Sequence, residues 1–168
     1  MPDHDRSSAI VVNASPIVAL IAGIGDLALL NKLYDKVIVP FEVCNEITVE
    51  NNLRFGAEIF DSVNWIEKPD ENVRIEPLLL NLLDRGEAAV IQTAINKNIK
   101  LVCIDDAVGR RVARLNNLEI TGSLGILLRG KKLKYLYSIK PVLDSMIARG
   151  IWISRELYER VLYEAGER

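Results

Sequence analysis

The sequence predicts an α/β fold built around a mostly parallel sheet, and two observations lead to this prediction. Short runs rich in Val, Ile and Leu lack polar alternation, which is typical of strands covered on both faces. Helical patterns separate these runs, as expected when right-handed helical crossovers join parallel strands. The chain has 168 residues, enough for one ordinary domain with a core of its own.

The predicted strands are short apolar segments bounded by polar or turn residues. The four main ones are 9–12 (AIVV), 37–39 (VIV), 101–104 (LVCI) and 118–121 (LEIT). A weaker segment, 63–67 (VNWIE), is predicted to be an edge strand. These segments are separated by long stretches of sequence, so the predicted sheet joins strands that are far apart along the chain.

Apolar residues at helical spacing predict the intervening helices. The first helical pattern covers 16–34 and is broken by Gly23 and Gly25. Further helical patterns cover 41–50, 86–98 and 107–117. The stretch 23–28 (GIGDLA) matches a dinucleotide-binding fingerprint, but that fingerprint must directly follow a strand. We therefore interpret it as a break between two helices.

The region 130–168 is predicted to be a pair of C-terminal helices, the second with Ser154 as its N-cap. Ile153, Leu157 and Val161 recur at helical spacing, so this helix should bury a stripe against its own domain or a second subunit. Residues 9–168 are thus expected to form a single domain, and the polar residues 1–8 a disordered tail.

Composition excludes several classes of function. The formal charge of −2 gives no general attraction to nucleic acids or anionic membranes. His4 is the only histidine and lies in the predicted tail, which argues against histidine catalysis and His-ligated zinc. The two cysteines lack metal-ligand spacing, and no signal-peptide pattern is seen, so a cytoplasmic protein with reduced thiols is expected. No apolar run reaches the ~20 residues of a membrane span.

Polar side chains at the carboxyl ends of the predicted strands form the candidate site, since ligands of open α/β folds bind there. They are Asn13 after the first strand, Glu42 and Glu46 after the second, Glu87 at a helix start, and Asp105 with Asp106 after the strand 101–104. Converging oxygen ligands suit Mg²⁺ or Mn²⁺, which activate water and neutralise charge on a phosphodiester. Without a cation these carboxylates would repel one another.

Local structural roles are the alternative for each residue. Asn13 could form an Asx-turn with Ser15 capping the next helix, and Asp106 could cap the helix that follows it. Glu42 and Glu87 could simply favour a helix dipole.

Three arginines and an acidic pair leave further alternatives open. Arg110, Arg111 and Arg114 could hold a phosphate backbone or form an ordinary solvated face. Asp105 and Asp106 could also belong to an unrelated α/β enzyme with an acidic site for phosphate chemistry.

The order and spacing of five segments resemble the PIN-like domain family. They are 11–20 (VVNASPIVAL), 37–47 (VIVPFEVCNEI), 83–94 (LDRGEAAVIQTA), 101–113 (LVCIDDAVGRRVA) and 121–130 (TGSLGILLRG). The resemblance covers residues 9–165. It implies a three-layer α/β/α sandwich and a Mg²⁺- or Mn²⁺-dependent ribonuclease. Many relatives are toxins of toxin–antitoxin pairs, so RNA as substrate, an antitoxin as partner and a homodimer are expected.

The resemblance also assigns site residues by position. The family's first acid falls on Asn13, with a nearby hydroxyl on Ser15. The second acid falls on Glu46, the third on Glu87, and the fourth on Asp106 or its neighbour Asp105. Glu46, Glu87 and Asp106 would hold the metal with Asn13 as a neutral ligand. Because most relatives have Asp where this chain has Asn13, the alternative is a weakened or inactive protein that acts by binding RNA, an antitoxin or its own copy.

Overall fold

The computed structural model describes residues 7–50 and 54–167 and has a four-stranded, all-parallel sheet at its centre. The strands are β1 (Ser7–Val12), β2 (Tyr34–Ile38), β3 (Leu101–Cys103) and β4 (Glu119–Thr121), in the spatial order β2-β1-β3-β4. Three residues of the central strand, 10–12, are completely buried, which explains their unbroken apolar run. The predicted parallel sheet is confirmed.

Helices form the outer layers of a three-layer α/β/α sandwich, as the resemblance implies. They are α1 (Ala14–Ile24), α2 (Ala28–Leu33), α3 (Phe41–Asn45), α4 (Arg54–Ser62), α5 (Pro77–Leu82), α6 (Arg85–Asn96), α7 (Ala107–Leu115), α8 (Ser123–Lys132), α9 (Lys140–Ala148) and α10 (Arg155–Glu164). A π-helical turn, Glu46–Glu50, follows α3 directly. The helix α6 packs against β1 and β3, whereas α1 packs against α4, α8 and α9.

Two of the predicted boundaries need correction. The segment 63–67 forms no strand among the described residues; only Glu67 makes an isolated bridge, to Ile38. The first strand begins at Ser7, two residues earlier than predicted. Most of the predicted tail, residues 1–6 with His4, lies outside the described residues.

The glycines of the first helical pattern have separate roles. Gly25 ends α1 in a left-handed conformation, with φ of 92°, so the predicted helix break is confirmed. Gly23 lies where α9 crosses α1, and a Cβ there would lie 2.7 Å from Val142 Cγ1. The stretch 23–28 therefore serves packing and a turn.

The C-terminal helices are less deeply buried than predicted. Ser154 caps α10 by accepting the Leu157 N–H at 3.1 Å, as predicted. Val161 is buried, but Ile153 and Leu157 are only partly buried and border an open groove. The helix α10 packs on α8, and the groove beside this contact leaves Ile153 and Leu157 partly exposed.

Glu167 joins the end of the chain to the start of α9. Its carboxylate accepts hydrogen bonds from Lys131 Nζ, Ser138 Oγ and the backbone N–H groups of Ile139 and Lys140. Burial raises the pKa of Glu167, but these donors outweigh that effect and lower the pKa to about 2. Within the described ranges, no helix is long and apolar enough to cross a membrane.

Candidate functional site

The site lies where the chain changes direction across the sheet. After β1 the chain continues to β2 on one side, and it later returns to β3 on the other side of β1. Such a switch point opens a crevice at the carboxyl ends of the strands. Asn13 immediately follows β1, and its N–H donates to the Cys103 carbonyl at 3.0 Å, which joins the ends of β1 and β3.

Asn13 occupies the N-cap position of α1 without capping it. Its side chain makes no capping hydrogen bond, it is 6% exposed, and its Oδ1 has no hydrogen-bond partner among the described residues. The Asx-turn alternative is therefore wrong, and Ser15 lies inside the first turn of α1, not at its cap. Leaving a buried acceptor unpaired costs about 1–3 kcal/mol, so this oxygen needs an explanation.

Oxygen atoms from three separate segments surround Gly86 at the start of α6. A Cβ added to Gly86 would lie 2.6 Å from Glu46 Oε2 and 3.6 Å from both Asn13 Oδ1 and Asp84 Oδ1. The missing side chain lets the first turn of α6 approach these oxygens closely. The end of β1, the π-helical turn and the start of α6 thus meet at one point.

Glu87 is a buried carboxylate on the first turn of α6. It is 8% exposed, and its Oε1 would lie 3.3 Å from a Cβ on Gly109 of α7. Burial raises the pKa of Glu87 to about 7, and the negative charges of Asp84 and Asp106 add to the rise. The Glu87 carboxylate is therefore stabilised either by binding a proton or by a nearby cation.

Asp105 and Asp106 point to different neighbours. Asp106 caps α7, with its Oδ2 accepting the N–H groups of Val108 at 3.0 Å and Gly109 at 3.1 Å, so the capping alternative holds for this residue. Asp105 accepts both the N–H of Ser123 at 2.8 Å and its Oγ–H at 3.0 Å. Asp106 acts electrostatically on Glu87, whereas Asp105 borders a cleft with Ser15 and Glu46. Both acids therefore stay candidates for the fourth position.

The predicted arginines divide into two groups. Arg110 and Arg114, one helical turn apart on α7, line a groove together with Asp105, and Arg110 Nη1 donates to the Ile104 carbonyl at 3.2 Å. Arg111 is exposed and does not line this groove. The side chains that border the site are thus Arg110 and Arg114.

The donor set fits a hard divalent cation in its chemistry. Asn13, Glu46, Asp84 and Glu87 offer only oxygen atoms, which Mg²⁺ and Mn²⁺ prefer. Within the described part of the chain, however, no three acidic, histidine or cysteine side chains gather closely enough to hold an ion by themselves. The buried Asn13 oxygen lies close to the carboxylates of Glu46 and Asp84 beside Gly86.

Sequence reasoning missed the roles of Asp84 and Gly86 and understated that of Glu42. Asp84 caps α6 by accepting the Glu87 N–H at 2.9 Å, and the Asp-x-x-Glu spacing of a helix start was the available signal. Glu42 shares a crevice with Glu46 and Asp84. Its Oε2 accepts the Val73 N–H at 3.0 Å, and its buried Oε1 has no partner among the described residues.

Comparison with known proteins agrees with this architecture. A family model described as “PIN domain” matches residues 9–167, nearly the whole chain. No curated protein and no solved structure matches the chain significantly. The all-parallel sheet, the acidic crevice at its switch point and the matched family together lead to one conclusion: the chain belongs to the PIN-domain family.

Proposed function

We propose that this protein is a ribonuclease that hydrolyses RNA phosphodiester bonds with Mg²⁺ or Mn²⁺. PIN domains are generally metal-dependent nucleases. The observation that carries the proposal is the buried Asn13 Oδ1, which has no hydrogen-bond partner among the described residues and lies with the oxygens of Glu46 and Asp84 around Gly86. A cation would satisfy this amide oxygen and stabilise the charged form of Glu87, whose pKa is raised by burial and, to a smaller extent, by the charges of Asp84 and Asp106.

Each side chain has a defined part in the proposed site. Asn13, Glu46 and Glu87 would hold the ion, with Asp106 or Asp105 at its border. When bound, the ion would lower the pKa of water and neutralise the charge that develops on the phosphodiester. Arg110 and Arg114 would bind the adjacent backbone phosphates, which positions the scissile bond over the crevice.

Glu46→Gln tests the proposal most directly. The substitution keeps the shape of the side chain but removes its charge, so we expect cleavage of RNA with Mg²⁺ to fall by at least about 100-fold. The fold should be unchanged, because repelling carboxylates do not stabilise a metal-free protein. Cleavage of a labelled single-stranded RNA over a range of Mg²⁺ concentrations measures this effect.

Glu58→Gln provides the matched control, since Glu58 is an exposed residue of α4 that borders none of the site. It should cleave at the rate of the parent protein. If Glu46→Gln cleaves as fast as the parent at every Mg²⁺ concentration, Glu46 does not hold a catalytic ion and the proposed metal site is wrong.

A second candidate function follows from Asn13 itself. An amide brings no negative charge, so the site attracts a cation less strongly than one with four carboxylates. The alternative is a catalytically weakened PIN protein that acts by binding RNA or a protein partner. Tight RNA binding by the parent protein, without cleavage at saturating Mn²⁺, would favour this alternative.

The resemblance noted in the sequence supports one further proposal about biological role. The chain would be the toxin of a toxin–antitoxin pair, a homodimer inhibited by an antitoxin encoded beside it. Growth of cells that express the chain, with and without the product of the neighbouring gene, tests this role.

A further inference from the structure

Trp152 is an exposed indole at the edge of a cleft that Glu46 and Asp105 also line. It lies between α9 and α10, and 85% of its surface is exposed. Tryptophan has a large apolar surface that proteins usually cover, so such exposure near a site is informative. Trp152 borders a cleft of about 510 Å³ that is also lined by Ser15, Glu46 and Asp105.

The same indole borders a second groove, in which arginines outnumber acids. This groove of about 720 Å³ is lined by Arg110 and Arg114 of α7 and by Arg160 of α10, together with Asp105 and Glu164. Trp152 therefore borders both the cleft that holds Glu46, one of the proposed metal ligands, and the groove with three guanidinium groups. A polyanion passing through the groove into the crevice would pass the indole.

The backbone on both sides of Trp152 is held in place. Gly150 adopts a left-handed conformation with φ of 93°, and the Ile151 N–H donates to the Met146 carbonyl at 3.0 Å. On the other side, Ser154 caps α10. The indole is thus presented from a fixed backbone, which lowers the entropy lost when a ligand stacks on it.

We infer that Trp152 stacks on an unpaired nucleobase of the bound RNA. This inference rests on the proposed ribonuclease function and adds a base-binding residue outside the proposed metal site. An aromatic side chain can stack on any base whose face is open, whereas bases in a duplex are already stacked on both faces. The arginines favour a nucleic acid over an apolar protein partner, because their charges complement phosphates.

The two tryptophans allow a direct optical test. Trp65→Phe leaves Trp152 as the only tryptophan, and Trp65 is a partly buried residue packed against the core. We expect a single-stranded RNA of about ten nucleotides to quench the remaining fluorescence when it is titrated in EDTA, which prevents cleavage. A duplex of the same sequence should quench it far less.

Affinity provides the second measurement. Stacking contributes ~1–3 kcal/mol per base, so Trp152→Ala should weaken binding of labelled single-stranded RNA about 5- to 150-fold in fluorescence anisotropy. Trp152→Phe should retain most of the affinity, and Trp65→Phe should bind like the parent. Because Trp152 is exposed, we expect the thermal unfolding of Trp152→Ala to match that of the parent.

Three results would overturn the inference. They are equal RNA affinity of Trp152→Ala and the parent, equal quenching by duplex and single strand, and a change in sedimentation showing that Trp152 instead holds two copies together.

These results are separate from those for Glu46→Gln. If Glu46→Gln loses cleavage while Trp152→Ala binds RNA normally, only the stacking inference fails. If the parent protein does not cleave RNA at saturating Mn²⁺, the ribonuclease assignment fails whatever the fluorescence shows.

Discussion

Asn13 places an uncharged oxygen among carboxylates. Its Oδ1 is buried and has no hydrogen-bond partner within residues 7–50 and 54–167, while Glu46 and Asp84 approach the same point beside Gly86. In the metal-free protein the amide limits the repulsion between these side chains. Toward the proposed cation it would offer less attraction than a carboxylate would. Asn at position 13 therefore weakens both the repulsion within the metal-free site and the attraction of the site for a cation.

Asn13→Asp should tighten the binding of Mg²⁺ and Mn²⁺. An added charge about 4 Å from a cation gains roughly 4 kcal/mol per unit of cation charge at an effective dielectric of 20, before desolvation is subtracted. The part of this gain that remains after the cost of desolvation should strengthen metal binding at least about tenfold, as measured by calorimetric titration. Asn64→Asp, which adds the same charge at an exposed position, should leave the affinity unchanged. Equal affinities for Asn13→Asp and the parent would remove residue 13 from the site.

The site residues differ in how far the sequence could predict them. Asn13, Glu46 and Glu87 could be identified because each follows a strand or lies near the start of a helix, and such positions meet at one edge of a parallel sheet. Gly86 could not, because its importance depends on which side chains approach it in space. The side-chain bonds of Asp105 likewise depend on Ser123, which lies 18 residues away in the sequence.

Among the elements, α10 shows what a periodic pattern can and cannot predict. Its spacing indicated a helix with Ser154 as cap, and both are observed. The depth of burial along the helix depends on where α8 meets it, which the pattern of α10 does not contain. The N-terminal turn is left beside the groove that Trp152 borders.

Two leucines of α10 test this gradient of burial. Leu162 is 8% exposed, whereas Leu157 is only partly buried. We expect Leu162→Ala to lower the free energy of unfolding by about 2–3 kcal/mol, near the lower end for a core leucine, and Leu157→Ala to lower it by about 1 kcal/mol. Urea unfolding measures both. Equal losses would show that the helix packs along its whole length.

The helix α8 was harder to predict. Its sequence, Ser123–Lys132, contains Gly125 and Gly130, which lower helix propensity. Gly130 is required by packing, since a Cβ there would lie 2.8 Å from Leu29 Cδ1 of α2. The Asp105 carboxylate binds the first residue of the helix, so tertiary contacts compensate for a weak local preference.

For the molecule as a whole, the buried acids make stability depend on pH. Burial, with the charges of Asp84 and Asp106, raises the pKa of Glu87 from 4.5 to about 7 in the folded protein. The folded state therefore binds more protons than the unfolded state between these values, and stability falls as pH rises through this window. Glu167 acts in the opposite direction, but with a pKa of about 2 its effect is lost only under more acidic conditions.

In EDTA, the free energy of unfolding of the parent should fall between pH 5 and pH 7.5 by an amount on the order of 1–3 kcal/mol, since one unit of pKa corresponds to about 1.4 kcal/mol. Glu87→Gln should lack most of this decrease, and Glu58→Gln should keep it. Added Mg²⁺ should restore stability to the parent at pH 7.5, because an ion that binds only the folded state stabilises it. If urea titrations give the same pH dependence of the free energy of unfolding for Glu87→Gln and the parent, Glu87 is not its cause.

The carboxylate of Glu167 has a consequence for motion. It holds the beginning of α9 from a position beyond the end of α10, so residues 139–167 form a loop closed by hydrogen bonds. Segments closed in this way tend to open as cooperative units instead of fraying one residue at a time. The indole of Trp152 lies inside this loop. We therefore expect the mobility of the indole to depend on the hydrogen bonds of Glu167.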